Sequence, residues 1–385
     1  MRKIRTAIIG SGFMGSTHLE ALQRIGGVEV VALSSDDQKN GKVLAEKFSV
    51  KSFNSNWKSV VTNPEVDVIH NCTPNHLHYE INKTAVKNNK HIISEKPLTV
   101  NSSQSAELLK LLKKHNVVNA VNFNYRFYSI IQHAKSMIEM GELGDINLVH
   151  GNYLQDWLYY KSDYNWRLES NLGGDSRAIA DIGSHWCDMV QFLTGSKIKK
   201  VFADLVTIHK SRIKPNKTVE TFKGKEKKTS SGREVLIKTE DAGTVLLHFE
   251  NGTRGVFTVS QVSAGRKNHF WFEIDGSKKS LSWNQENPNE LWIGHRDKPN
   301  ETLIKDPSLL NERARKYASY PGGHPEGYPD GPKNLFASVY KLIREGKNFQ
   351  NYKPDFATFE DGHFENKIVE AILKSNSQQK WTVVY

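Results

Sequence analysis

Short apolar runs recur through the first third of the chain, and helical periodicity separates them. Arg5–Ile9 (RTAII), Val28–Leu33 (VEVVAL), Val66–Asn71 (VDVIHN), His91–Ser94 (HIIS) and Val117–Val121 are predicted strands. Helical stretches run from the glycines after Ile9 to Gly26-Gly27, then to about Phe48, and from about Ser103 to His115. Continuous rather than alternating apolar strands, each followed by a helix, predict a doubly wound parallel sheet covered on both faces. After about Phe123 the texture changes. A helical pattern is followed by a strand over Asn147–Tyr153 and by an apolar helix carrying Ile179, Ile182, Trp186, Met189, Val190 and Phe192. From Val201 to about Trp292, alternating positions joined by turn signals at Asp241-Ala-Gly and Asn251-Gly252 predict a large, mainly antiparallel open sheet with one covered face. Helical periodicity returns near Leu335–Glu345 and Thr358–Leu373. The expected organisation is an α/β domain over residues 1–123 and an α+β domain over 124–385.

Composition agrees and removes alternatives. A chain of 385 residues exceeds one small core. Its 37% hydrophobic and 25% charged residues describe a soluble globular protein, and no apolar stretch is long enough for a bilayer. The start, MRKIRTAIIGSGFMG, lacks a signal-peptide apolar region of usual length. Two cysteines, Cys72 and Cys187, form neither a disulfide framework nor a metal spacing, so a reducing cytoplasm and no metal are expected. The net charge of +11 is concentrated: nine Lys or Arg against two Glu lie between His209 and Arg233. With no nucleic-acid motif beside it, that segment is predicted as a solvated basic hairpin or loop.

Chemistry enters at Gly10-Ser-Gly12-Phe13-Met14-Gly15, between the first strand and the first helix. Gly10 allows the tight turn, Gly12 lets the backbone approach a pyrophosphate, and Gly15 lets helix and sheet pack closely. The helix N-terminus adds N–H groups and positive dipole for the phosphates. The acid expected on a ribose about 20 residues later is missing: Ser34 and Ser35 stand there, followed by Asp36. Small hydroxyls with Lys39 nearby suit the 2′-phosphate of NADP, whereas Asp36 would repel it, so NAD and NADP remain level. Thr73-Pro74-Asn75 and Glu95-Lys96-Pro97 follow two further strands at their carboxyl ends, the edge where such sheets bind ligands.

GSGFMGSTH (Gly10–His18), CTPNHLH (Cys72–His78), EKP (Glu95–Pro97) and GGDSRAIADIGSHWCD (Gly173–Asp188), in this order and spacing, resemble the glucose–fructose oxidoreductase / inositol dehydrogenase / MocA family. The resemblance implies a Rossmann domain, a nicotinamide cofactor and assembly as dimers or tetramers. It implies that Lys96 lies beside the nicotinamide, often through a cis Lys-Pro bond, and that Asp181 and His185 complete the catalytic site. His78 and Asn124 join the expected cofactor contacts, and Tyr125 the substrate contacts.

The residues themselves support that assignment. Asp181 and His185 are four apart and on a helix would share one face. A helix cap and a core histidine are the plainer roles. Beside the glycine loop and EKP, a proton-transfer pair is the better account. Tyr153–Arg167 carries six aromatics among polar groups, including Gln155, Trp157, Trp166 and Arg167. Flat apolar faces beside hydrogen-bonding groups suit a sugar ring, and an aromatic structural loop fits equally. The Gly322–Asp330 loop brings His324, either to the same cleft or merely to cap the next helix. This loop and YLQDW are similar to sugar-oxidising branches of the family, including levoglucosan-type dehydrogenases. The expected reaction is hydride transfer between nicotinamide and a secondary alcohol of a sugar or cyclitol. One of Lys96 and His185 takes the hydroxyl proton, and the other, with Asp181, orients the substrate. Two rivals remain: a glycosidase working through transient oxidation, and a non-enzymatic dinucleotide sensor. Neither nucleic acid nor membrane is an expected partner.

Overall fold

The structure, a computed structural model, describes residues 2–216 and 232–385. These fall into two units, one of residues 1–124 with 328–366 and the other of residues 125–327 with 367–385.

In the first unit, strands β1 (Ile4–Ile9), β2 (Val28–Ser34), β3 (Ser52–Asn54), β4 (Val68–Asn71), β5 (His91–Ser94) and β6 (Asn119–Val121) alternate with helices. The helices are α1 (Phe13–Gln23), α2 (Gln38–Lys47), α3 (Trp57–Val61), α4 (Asn75–Lys87) and α5 (Ser102–Leu112). Every strand pair is parallel, in the order β3-β2-β1-β4-β5-β6. Consecutive burial of Ala7, Ile8 and Ile9, and of Ile92 and Ile93, reflects helices on both faces. The short β3 and α3 escape sequence periodicity because three and five residues hold too few apolar positions to mark a period.

The end of the chain also belongs to this unit. The helix Asp330–Glu345 buries Leu335, Phe336, Val339 and Tyr340, and Arg24 of the loop after α1 pairs with Asp330 at 2.5 Å. Ala357 accepts a backbone bond from Val121 (2.9 Å), and Phe359 N–H donates to Asn119 Oδ1 (2.8 Å). The sequence reading placed all of 124–385 in the second domain. Periodicity locates an apolar helix face, but not the surface it covers.

The second unit carries helices α6 (Ser129–Glu139) and α7 (Ser184–Thr194) and strands β7 (Ile146–Leu154), β8 (Ile198–Val206), β9 (Ser211–Pro215), β10 (Gly232–Leu236), β11 (Ala242–Phe249), β12 (Arg254–Ser260), β13 (His269–Gly276), β14 (Ser280–Asn284), β15 (Glu290–Gly294), β16 (Glu301–Ile304) and β17 (Thr382–Val383). Nine of these strands form one sheet, β16-β15-β14-β13-β7-β12-β11-β8-β17, antiparallel except where β7 meets β12. Its covered face presents Val149, Phe257, Phe270, Phe272 and Ile274. Trp186 of α7 stacks on Phe257 with centroids 4.7 Å apart. Gly151 makes that approach possible, since a Cβ there would lie 2.7 Å from Trp186 Nε1 and 2.2 Å from Trp271 O. The basic segment begins and ends in the paired strands β9 and β10; residues 217–231 of it lie outside the described residues. Among the described residues no helix is long and apolar enough to cross a membrane.

Candidate functional site

In the first unit, Gly10 has φ +109°, and a Cβ there would meet Cys72 O at 2.4 Å, so the glycine loop lies directly on the chain leaving β4. Around Gly12, which precedes α1, a Cβ would have nothing within 4 Å, and the loop is open on that side. Phe13 is exposed and stacks on Tyr328 at 6.1 Å, and the Tyr328 hydroxyl reaches Met14 Sδ at 3.6 Å. Ser35 Oγ pairs with Ser11 Oγ at 2.7 Å, and Asn40 Nδ2 donates to Ser11 O at 3.0 Å, which ties the end of β2 to the glycine loop. Asp36 turns its carboxylate to the Asp37 N–H, and Lys39 is exposed.

At the ends of β4 and β5, Thr73 Oγ1 donates to Asn71 Oδ1 (2.7 Å), and Pro74 leads into Asn75, the first residue of α4. His78, a predicted cofactor contact, is fully buried, its ring between Pro97 O (2.7 Å) and Thr73 O (2.9 Å). Burial lowers its pKa, against the pull of the two carbonyls. It therefore straps together the two turns that carry Thr73 and Lys96. The Lys96–Pro97 peptide is cis.

In the second unit, most of the predicted substrate residues form one network. Asp181 lies in a π-helical turn, Ile179–Gly183, that runs into α7, where the sequence predicts regular helix; such turns often occur at functional sites. Gln261 Nε2 donates to Asp181 Oδ2 at 2.9 Å, and Arg167 Nε lies 3.4 Å from Oδ1. The Arg167 guanidinium sits over Trp166, 4.5 Å from its ring centre, and 6.0 Å from that of Trp157. Gly173 lets the Arg167 backbone approach, since a Cβ there would lie 2.8 Å from Arg167 O. Trp157 Nε1 donates to Gln155 Oε1 (2.8 Å), and Gln155 Nε2 donates to Asn268 Oδ1 (2.9 Å). Asn268 Nδ2 donates to Tyr125 OH (2.9 Å), and the Tyr125 and Tyr153 hydroxyls are 2.9 Å apart. The His185 ring stands edge-on to Tyr125, centroids 5.0 Å apart. Burial pushes the Tyr125 phenol up, its bonds to Tyr153 and Asn268 oppose this, and the Asp181 charge adds to it.

A buried ionic layer supports the turn. Glu240 Oε1 accepts from Ser176 Oγ, Arg177 N and Ile179 N at 2.7, 2.9 and 2.8 Å; burial raises its pKa. Arg177 and Arg212 both pair with Asp241. Arg177 Nη1 also donates to Gln261 Oε1 (3.0 Å), which fixes the amide so that its N–H₂ end faces Asp181. His324 is not brought into the network: it is exposed, with its ring on Gly322 O. The reason is Lys305, whose ammonium gathers the carbonyls of Tyr320, Pro321 and His324 and folds the loop onto itself. Gln261 and Asn268 were not legible in sequence, because they join the site only through strand order.

Residues 4–123 match the family model described as "Oxidoreductase family, NAD-binding Rossmann fold", and residues 131–282 match "GFO/IDH/MocA C-terminal domain". The chain belongs to the GFO/IDH/MocA oxidoreductase family. Within it, the chain is 29% identical to the levoglucosan dehydrogenase of Pseudarthrobacter phenanthrenivorans, with 100% of this chain and 99% of that protein covered. It is 25% identical to the glucose-6-phosphate 3-dehydrogenase of Bacillus subtilis, over 99% and 98% of the two chains. A solved levoglucosan dehydrogenase in complex with NADH and L-sorbose has a TM-score of 0.89 at 27% identity, covering 100% and 99% of the chains. An inositol dehydrogenase homologue from Azotobacter vinelandii with NAD+ shares the fold, with a TM-score of 0.85 at 22% identity and coverage of 99% and 97%.

The first unit fits the dinucleotide that this family binds. Besides the open Gly12 loop, three buried polar atoms at strand ends have no hydrogen-bond partner among the described residues: Ser34 Oγ in the last residue of β2, and Asn122 Oδ1 and Asn124 Nδ2 after β6. Buried polar groups are normally satisfied, and such a row along the carboxyl edge suits a polar ligand. One group of metal-ligand type occurs among the described residues, His150, Glu273 and Asp275, with ligand atoms within 4.8 Å of one another. It lies on β7 and β13, in none of the bonds described above.

Proposed function

We propose that the chain is an NAD-dependent dehydrogenase oxidising a secondary alcohol of a sugar or cyclitol. The observation that carries the substrate class is the network around Asp181: a carboxylate, a guanidinium over Trp166 and near Trp157, and amide and phenol groups whose bonding fixes their directions. Ring hydroxyls demand donors and acceptors in set directions, and the CH faces of the ring pack on aromatic planes. The sugar- and cyclitol-oxidising relatives point the same way.

In this reading Gly10, Gly12, Phe13 and Met14 hold the pyrophosphate, and Ser34, Ser35 and Lys39 line the adenosine end. Thr73, Pro74, Asn75, Glu95, Lys96 and Asn124 line the nicotinamide end, with His78 holding their turns in place. When bound, the cofactor supplies the hydride acceptor. Lys96 and His185 handle the hydroxyl proton, and Asp181 orients the substrate with Tyr125, Gln155, Trp157, Trp166 and Arg167. The exposed carboxylate of Asp36 favours NAD over NADP. The chain acts as a homo-oligomer, for which Leu148, Val206 and Leu246 offer exposed apolar positions on the sheet; size-exclusion chromatography checks this.

The test is a sugar and cyclitol panel followed by absorbance of the reduced cofactor, run with NAD and with NADP. Stoichiometric accumulation of free NADH with at least one polyol supports the reading. Bond cleavage without free NADH would favour the glycosidase, and tight dinucleotide binding without turnover on any polyol would favour the sensor.

A further inference from the structure

Two asparagines just beyond β6, within the first unit, carry polar atoms that the fold buries and leaves unmet. Asn122 is 1% exposed and Asn124 2%, and neither Asn122 Oδ1 nor Asn124 Nδ2 has a hydrogen-bond partner among the described residues. Leaving such atoms unmet is costly, so each asks for a ligand atom of the opposite kind. Asn122 stands in none of the roles assigned above.

Charge decides which end of the Asn122 amide is left over. Its Nδ2 donates to Glu95 Oε1 at 2.5 Å and lies 3.2 Å from His18 Nε2. Glu95 Oε1 also faces His18 Nε2 at 3.0 Å, and the other oxygen accepts from the Lys96 backbone N–H at 3.3 Å. Burial pushes the Glu95 carboxyl up, but His18, Lys96 and Asn122 together bring it below the usual carboxylate range, so near neutrality it only accepts. Flipping the Asn122 amide would set Oδ1 against that carboxylate. The donor end is therefore fixed on Glu95, and the acceptor end remains. The frame behind it is closed: His18 Nδ1 lies 2.8 Å from His70 Nδ1, and His70, held neutral by burial, lies 2.9 Å from Tyr340 OH. All three of these side chains are fully buried.

Position along the sheet selects the group. In the order β3-β2-β1-β4-β5-β6 the glycine loop follows β1, and a dinucleotide across this edge has its pyrophosphate there with one nucleoside to each side. Ser34, which holds the third unmet atom, ends β2 on one side; Asn122 and Asn124 follow β6 on the other, beside β5 and the turn of Lys96. That side is the nicotinamide side in the reading above. A nicotinamide carries a carboxamide, with an N–H₂ donor for Asn122 Oδ1 and a carbonyl acceptor for Asn124 Nδ2.

We propose that Asn122 and Asn124 recognise the carboxamide of the nicotinamide, Asn122 accepting from its N–H₂ and Asn124 donating to its carbonyl, and so hold the ring in one rotation and select an amide over an acid at that position. The proposal rests on the reading that this unit holds a nicotinamide dinucleotide. Glu95 then acts on the cofactor indirectly, by fixing the direction of the Asn122 amide.

The test is calorimetric titration of the full chain, without substrate, with NAD and with relatives of it. ADP-ribose lacks the nicotinamide, the 3-acetylpyridine analogue replaces the N–H₂ by a methyl group, and nicotinic acid adenine dinucleotide replaces it by oxygen. The parent should bind the acetylpyridine analogue about tenfold more weakly than NAD, the cost of one buried acceptor left unmet. The acid should bind more weakly still, because its carboxylate would face Asn122 Oδ1 and the Glu95 charge behind it. In N122A the preference for NAD over the acetylpyridine analogue should shrink to about threefold or less, whatever happens to the absolute affinities. N124A should keep that preference and weaken both ligands relative to ADP-ribose, since both retain the carbonyl. Equal binding of NAD and the acetylpyridine analogue by the parent would overturn the proposal, and so would a preference that survives in N122A. Losses as large for ADP-ribose as for NAD would assign the asparagines to the ribose and overturn it too. Should N122A fail to fold, the parent and N124A decide, and an N124A that keeps the parental ratio of NAD to ADP-ribose affinity refutes the pair. A parent that binds neither NAD nor ADP-ribose would remove the dinucleotide reading as well, whereas binding without discrimination removes the proposal alone.

Discussion

Replacing Asp181 by Asn separates a catalytic carboxylate from a structural one. The substitution keeps shape, and Asn Oδ1 can still accept from Gln261 Nε2, whose orientation Arg177 fixes. The new amide nitrogen then faces Arg167 Nε across 3.4 Å, donor against donor. Flipping the amide relieves that conflict only by setting it against Gln261. The folded state thus loses one hydrogen-bonded contact to a charge, with side chains 14% and 19% exposed, a cost of about 2 kcal/mol. At about 2–4 °C per kcal/mol for a unit of this size, the melting temperature should fall by about 4–8 °C. If Asp181 orients the reacting hydroxyl, turnover should fall by about 10²–10³, equivalent to about 3–4 kcal/mol in the barrier. The kinetic loss exceeds the stability loss. Steady-state kinetics at saturating NAD, with the best substrate of the panel, beside a thermal melt, provide the comparison. A kcat within threefold of the parent, together with the expected melting shift, would return Asp181 to a structural role.

Gly10→Ala should reduce NAD affinity at least tenfold by titration fluorescence, because its Cβ would press on Cys72 O at 2.4 Å and the φ of +109° strains any side chain; affinity within twofold would refute the glycine-loop assignment. Trp157→Ala should raise KM by about tenfold, or about 1.4 kcal/mol, with a smaller effect on stability, and an unchanged KM with a large melting loss would make the ring structural. Stability should fall as pH drops below about 6.5: His70 is held neutral in the fold, so the unfolded chain binds a proton that the native chain does not, at up to about 1.4 kcal/mol per pH unit for that group. His70→Asn should flatten the melting-temperature profile between pH 7 and 5, and an undiminished slope would show that the loss arises elsewhere.

Much of the cofactor-binding unit was local information. A glycine loop between an apolar strand and a helix, and a lysine after another strand, can be read from a few consecutive residues, since a parallel sheet lines up its strand ends on one edge. The aromatic run from Tyr153 to Arg167 was visible in the same way, and so was the four-residue spacing of Asp181 and His185. The partners of these residues were not. Gln261 reaches Asp181, and Asn268 reaches Tyr125, because β12 and β13 flank β7, and strand order is set by which apolar faces pack together. Tyr340 meets His70 across 270 residues of sequence because the helix Asp330–Glu345 returns to α1, where its apolar face finds cover. The place of His324, left open in the sequence between the cleft and a helix cap, was hidden for the converse reason. Its loop carries site-like residues, and only the fold revealed that Lys305 draws their carbonyls to itself. The sequence by itself determined the parallel α/β unit and which residues stand as candidates to bind a dinucleotide and move a proton, because those depend on periodicity and residue chemistry within short spans. Which buried groups hold them, and in which direction each hydrogen bond points, only the tertiary structure decided, because burial and bond direction belong to pairs of segments that meet only in space.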